Sequence, residues 1–116
     1  MIEKGESKNM KIDLSEIQII PCKPRNGLLA FVTFVLNDSF YVGDIALYSR
    51  LNQEGYRLVY PIKVLANGAK VNCFHPITKE VSKTIEKAVI GKFEELMERA
   101  EKERIKEDFL NDENIH

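Results

Sequence analysis

Cys73-Phe74-His75-Pro76-Ile77, followed by Thr78 to Ala100, decides the fold, because a series of short extended runs gives way there to one long helical pattern. At about 100° per residue, Val81, Ile85, Ala88, Val89, Phe93, Leu96 and Ala100 gather on one side, the mark of an amphipathic helix docked on a core. Lys79, Lys83 and Lys87 recur at a spacing of four residues on roughly the opposite side. One face is built to pack, and the other to meet water or an anion.

Upstream of this junction the pattern is extended. Asp13 to Cys22 alternates loosely and stops at Pro21-Cys22-Lys23-Pro24-Arg25-Asn26-Gly27, where Asn-Gly between two strand-like runs is a strong hairpin signal. Leu28 to Leu36 is the most apolar run, with Leu28, Ala30, Val32, Phe34 and Leu36 on one face and Leu29, Phe31, Thr33 and Val35 on the other, so both faces ask for cover. Asn37-Asp38-Ser39 turns the chain into Phe40 to Tyr48, which Gly43-Asp44 interrupts as a bulge would. Tyr56 to Leu65 is a further run, and Pro61 within it cannot donate a ladder hydrogen bond, which predicts an edge or a bend. Ala66-Asn67-Gly68-Ala69 turns into the short Lys70 to Phe74. The order predicts an α+β fold, an antiparallel β-meander of about five strands followed by one long C-terminal helix.

Beyond Ala100 the residues are nearly all charged. Glu95 with Arg99 and Glu98 with Lys102 are favourable pairs four apart, which lets the helix run on toward Leu110. At about 1.5 Å per residue a helix from Thr78 to Leu110 would be about 50 Å long. That exceeds the width of a domain this size, so its last turns would project, fray or meet a partner. The expected organisation is a disordered lead-in over residues 1–11, one domain over 12–100 and a charged helical extension or tail over 101–116.

With 116 residues, 44% of them hydrophobic, the chain has room for one modest core. The net charge of −1 hides a division: residues 1–93 hold 13 Lys and Arg against 9 Asp and Glu, and residues 94–116 hold 4 against 9. The body is mildly basic and the tail acidic. The longest apolar run, Leu28 to Leu36, is about half of the roughly 20 residues a membrane helix needs, and the Met1 to Glu6 segment lacks a signal-peptide core. The expected location is the cytoplasm, away from membranes.

Chemistry finds little purchase in these residues. Cys22 and Cys73 are too few and too far apart for a disulfide framework, and Cys73 with His75 would offer a metal only two ligands. Asp44 beside Gly43 suits a turn or bulge better than a catalytic acid. No glycine-rich phosphate loop is present. The expectation is a protein that is not an enzyme and has no cofactor, metal or small-molecule substrate. The lysine row is the better candidate: side chains at i, i+4 and i+8 span roughly 12 Å, suited to the phosphates of a nucleic-acid backbone. Arg25, Arg50, Arg57, Lys63 and Lys70 lie in or beside loops of the strand region and would extend that patch if they converge, with Arg57, Lys63 and Lys70 as the outer candidates. The second apolar face of Leu28 to Leu36, with Ile90 and Met97 on the otherwise polar side of the helix, points to burial in a homodimer.

Three segments together resemble the SpoVG (stage V sporulation protein G) family of bacterial septation and gene regulators. They are Phe40-Tyr41-Val42-Gly43-Asp44-Ile45, the Gly55 to Lys63 run with Tyr60-Pro61-Ile62-Lys63, and His75-Pro76-Ile77 followed at fixed spacing by Ile85, Ala88-Val89 and Phe93. The resemblance spans roughly Ser15 to Phe93. It implies a small β-meander with a C-terminal helix, assembled as a homodimer, that binds DNA and in some members RNA, and is linked to septation, sporulation and gene regulation. It carries no enzymatic activity, and it places nucleic-acid contacts at the start of the helix, here Thr78 to Lys87. Where many members have an Arg early in that helix, this chain has Ser82 between Lys79 and Lys83. Lysine point charges in place of a guanidinium fork imply contacts dominated by phosphate. The rival expectation is a protein-interaction module of the division or sporulation machinery that touches no nucleic acid.

Overall fold

The computed structural model describes residues 12–114, with side chains through Leu110. The lead-in expected over residues 1–11 lies outside the described residues. Six strands precede one helix: β1 (Leu14–Arg25), β2 (Leu28–Leu36), β3 (Phe40–Ser49), β4 (Tyr56–Val59), β5 (Ile62–Val64), β6 (Lys70–Asn72) and α1 (Lys79–Asn114). The first four form an antiparallel meander in the order β1-β2-β3-β4, and β5 and β6 form a separate two-stranded ribbon. The fold is therefore α+β, with two sheets where the sequence pattern suggests one.

Local chemistry accounts for each turn. Asn26 and Gly27 take φ of 53° and 89° between the paired residues Arg25 and Leu28, the left-handed pair that a tight two-residue hairpin demands. Asn37 and Asp38 are also left-handed. The Asn37 side chain accepts a hydrogen bond from the Asp13 N–H at 2.7 Å, while the Asn37 N–H donates to the Asp13 carbonyl at 2.7 Å, tying the start of β1 to this turn. β1 runs on through Pro21 and Pro24, further than alternation predicts. As an edge strand with a register irregularity between Pro21 and Arg25, it can spare those N–H donors.

Between Val32↔Ile45 and Phe34↔Val42, β3 carries one residue more than β2, which places a bulge at Gly43-Asp44 with Asp44 left-handed at φ 61°. Tyr56 to Leu65, expected as one run, divides at Tyr60-Pro61: β4 stays at the edge of the main sheet and β5 leaves it to pair with β6.

One face of the main sheet is covered. Ala30, Val32 and Phe34 of β2, Val42, Ile45 and Leu47 of β3, and Ile85, Val89 and Phe93 of α1 are the buried core. Each of these side chains larger than Ala30 contributes about 1.5–3 kcal/mol by leaving water. The Tyr56 ring stands edge-on to Phe93, centroids 5.2 Å apart. Burial along α1 fades at Leu96, and Ala100 is exposed, although the helix continues without a break to Asn114. Ile90 is half-buried and packs against the core rather than standing on the polar side, whereas Met97 is exposed. At about 1.5 Å per residue, α1 is roughly 54 Å long, and it accounts for most of the 74 Å long dimension of the molecule. No helix among the described residues is long and apolar enough to cross a membrane.

Candidate nucleic-acid interface

The lysine row is positioned by the way α1 starts. Pro76 ends the extended chain, and Thr78 caps the helix: its Oγ1 accepts the Val81 N–H at 3.2 Å and its carbonyl accepts the Ser82 N–H at 3.0 Å. With the cap set and Ile85, Val89 and Phe93 turned into the core, Lys79, Lys83 and Lys87 are left on the exposed side. Ion pairs among the described residues join Arg99 to Glu95, Lys102 to Glu98 and Arg104 to Glu101, all beyond this row. Nearby polar groups are occupied with one another. The Thr84 hydroxyl donates to the Glu80 carbonyl at 2.9 Å, and the Ser82 hydroxyl donates to Glu86 Oε1 at 3.2 Å. Lys83 and Lys87, with Glu86 and Ile90, line a shallow open depression beside the row.

The charge order of α1 is the reverse of what helix stability asks for. From Lys79 to Phe93 the helix carries four lysines against two glutamates, and from Glu94 to Asn114 four basic residues against nine acidic ones. The helix macrodipole favours acids at the N-terminus and bases at the C-terminus. Lys79 stands in the first turn beside Glu80, which offsets its charge, and Lys83 and Lys87 carry the positive charge over the next two turns.

The remaining candidates do not converge on this row. Arg57 pairs with Tyr48 across β4 and β3, and its guanidinium lies over the Tyr48 ring, 5.1 Å from the centroid. Since its neighbours Tyr56 and Leu58 pack on the helix side, Arg57 points from the opposite face of the sheet. In the ribbon, Lys70 pairs with Val64 and Lys63 with Val71. Paired residues share a face and successive ones alternate, so Lys63 and Lys70 point from opposite faces.

A buried group that sequence reasoning passes over sits beside the first turns of α1. The Tyr60 hydroxyl is buried without a hydrogen-bond partner among the described residues. Its pKa is pushed up to about 12, first by burial and then by the negative charge of Glu86. Nothing in the spacing of Tyr60 and Glu86 signals that they meet. Cys73 and His75 are both exposed, the His75 Nδ1 lying 3.1 Å from the Pro76 carbonyl. No cluster of three or more metal-ligating side chains occurs among the described residues.

The SpoVG family model matches residues 10–95. A protein of Treponema denticola that carries the name of a septation protein, SpoVG, is 26% identical over 83 residues, which cover 72% of this chain and 87% of that protein.

Proposed function

Since the chain belongs to the SpoVG family, we propose that it is a cytoplasmic regulator linked to septation and sporulation that binds DNA, and RNA as well, through phosphate contacts from Lys79, Lys83 and Lys87. The observation that carries this reading is the exposed lysine row at the positive end of a helix whose opposite stripe is buried. A row of point charges without an Arg fork suits backbone phosphate more than base edges. Arg57, Lys63 and Lys70, which point elsewhere, add to the general positive field of the body.

The partner in the assembly is a second copy of the chain. Support comes from the β5-β6 ribbon, since an isolated two-stranded ribbon is marginal in water. Ile62 and Val64, on one of its faces, are exposed in the single chain. Light scattering at micromolar concentration is expected to give the mass of a dimer, and Val64→Lys the mass of a monomer.

The nucleic-acid reading is tested by measuring binding to duplex DNA and to single-stranded RNA at low salt, with a Lys79→Ala, Lys83→Ala, Lys87→Ala triple variant alongside. Alanine is the better helix former, so the variant keeps its fold. Wild type binds and the variant binds far more weakly. Absence of wild-type binding at low salt sinks the reading and favours a protein-interaction module, for which the exposed Met97, Ile105, Phe109 and Leu110 of the projecting helix are the available contacts.

A further inference from the structure

No other described element covers the face of the main sheet turned away from α1, and the ladder register states what stands on it. Ile20 pairs with Phe31, Phe31 with Ala46, and Ala46 with Val59, so one row crosses all four strands. Tyr48 with Arg57, Val35 with Tyr41, and Gln18 with Thr33 add further rows on this face. Three aromatic rings therefore share it: Phe31 in the middle, 39% exposed, Tyr48 beneath the Arg57 guanidinium, and Tyr41, 76% exposed, toward the other end.

Tyr41 does not stand up from the sheet. A Cβ built on Gly43 would lie 3.3 Å from Tyr41 Cε2, 3.5 Å from its hydroxyl and 3.6 Å from Thr33 Cγ2, so the ring lies along the sheet over the space that Gly43 leaves free. One side of the ring is against the protein, and the other is open.

We propose that this face is a stacking platform for single-stranded nucleic acid, on which unpaired bases lie against Tyr41 and Phe31 and the Arg57-Tyr48 pair holds the strand at the far end. Every base offers a π-face, and stacking on sheet-borne aromatics is independent of sequence. The bases of a duplex are already stacked on one another, so a flat sheet face selects for single strands. Charge agrees, because among the described residues that the register fixes to this face the charged side chains are Arg57 and Arg25, in the one row Arg25-Leu28-Tyr48-Arg57, and both are basic. Gln18 and Thr33 supply hydrogen-bonding groups for base edges.

A second copy of the chain is the competing occupant, and area decides against it. Three strand spacings of about 4.8 Å and about six ladder positions of 3.3 Å between Tyr41 and Tyr48 describe a face of roughly 300 Å². A stable protein interface takes about 800 Å² from each partner. Two or three stacked bases fit the area available. The platform takes its ligand class from the nucleic-acid reading above, but it does not use the lysine row.

The test compares wild type, Tyr41→Ala, Tyr41→Phe and the lysine triple variant on oligo-U and oligo-dT of roughly 16 nucleotides and on a duplex of the same length, at low and raised salt. Tyr41→Ala should weaken single-strand binding roughly 5- to 100-fold and leave duplex binding unchanged, and Tyr41→Phe should match wild type. The lysine variant should bind both duplex and single strands more weakly than wild type, and the single-strand binding that remains should still respond to Tyr41. Equal single-strand binding by Tyr41→Ala and wild type overturns the platform while leaving the lysine row intact. A change of oligomeric mass in Tyr41→Ala assigns the face to self-association and also overturns it. Wild type binding no nucleic acid of either kind removes both readings.

Discussion

The two halves of α1 belong to one unbroken helix and live by different physics. From Lys79 to Leu96 one stripe is anchored in the core through Ile85, Val89 and Phe93, the start is capped by Thr78, and the exposed side is basic. From Met97 onward the described side chains are exposed, and the charge is acidic. What holds helix there is the i, i+3 and i, i+4 pairing of Arg99 with Glu95, Lys102 with Glu98 and Arg104 with Glu101. Such exposed pairs stabilise by only a few tenths of a kcal/mol each. Tertiary burial makes the first half a fixed scaffold on which a charge row keeps its geometry. The second half keeps its helix by local terms, and its acidic surface would repel the polyanion proposed to bind the first half.

The largest effect should come from cutting the anchor. Phe93→Ala removes a buried ring that also meets Tyr56 edge-on, and about 3–5 kcal/mol of stability is expected to go with it. Urea unfolding measures this, and a loss below about 1 kcal/mol would mean that the helix is not docked as described.

Tyr60 sharpens the contrast by pH. Its folded pKa, raised to about 12, lies above the ordinary value of 10.0, so the folded state holds the proton more tightly than the unfolded chain. Its contribution is fully present below about pH 10 and is lost as pH rises toward about 12. The difference between wild type and Tyr60→Phe in urea midpoint should stay flat to about pH 10 and then move against wild type. At neutral pH, Tyr60→Phe removes a buried hydroxyl without a partner among the described residues and should be neutral or stabilising by up to about 1 kcal/mol.

Smaller effects are expected at the two ends of the helix. Thr78→Ala should cost about 1 kcal/mol, because the Val81 N–H loses its acceptor. In the distal half, Ile105→Ser with Phe109→Ser should change stability by less than about 0.5 kcal/mol, as exposed positions do. A larger loss that grows with protein concentration would show that a partner covers them.

Much of this was legible in the residues, and the failures share a cause. Leu28 to Leu36, the Asn26-Gly27 hairpin and the Gly43-Asp44 interruption appear in the structure where sequence chemistry puts them, because each rests on a local signal. Tyr56 to Leu65 misled because its alternation runs straight through Tyr60-Pro61, whereas the chain uses that dipeptide to leave one sheet for another. The helical stripe was legible, but not the fading of its burial before Ala100, since that depends on where the sheet ends.

The site divides in the same way. Lysines four apart on a helix share a side whatever the rest of the chain does, so Lys79, Lys83 and Lys87 could be grouped from spacing. Facing in a strand depends on counting by twos, and one bulge inverts the count. From Tyr41, alternation leads to Gly43, Ile45 and Leu47, the last two of which are buried. The bulge puts Tyr41 instead with Ala46 and Tyr48 on the open face. Arg57, Lys63 and Lys70 could not be assigned to a common patch for a similar reason, because the break at Tyr60-Pro61 resets the facing between them.

The salt dependence of duplex DNA binding tests the central claim most directly. Each phosphate contact contributes roughly 0.9 to the slope of log K against log salt, so loss of the three lysine contacts should flatten the wild-type slope by roughly 2.7 in the triple variant. A variant that binds with the affinity and slope of wild type would contradict the assignment of phosphate contact to Lys79, Lys83 and Lys87.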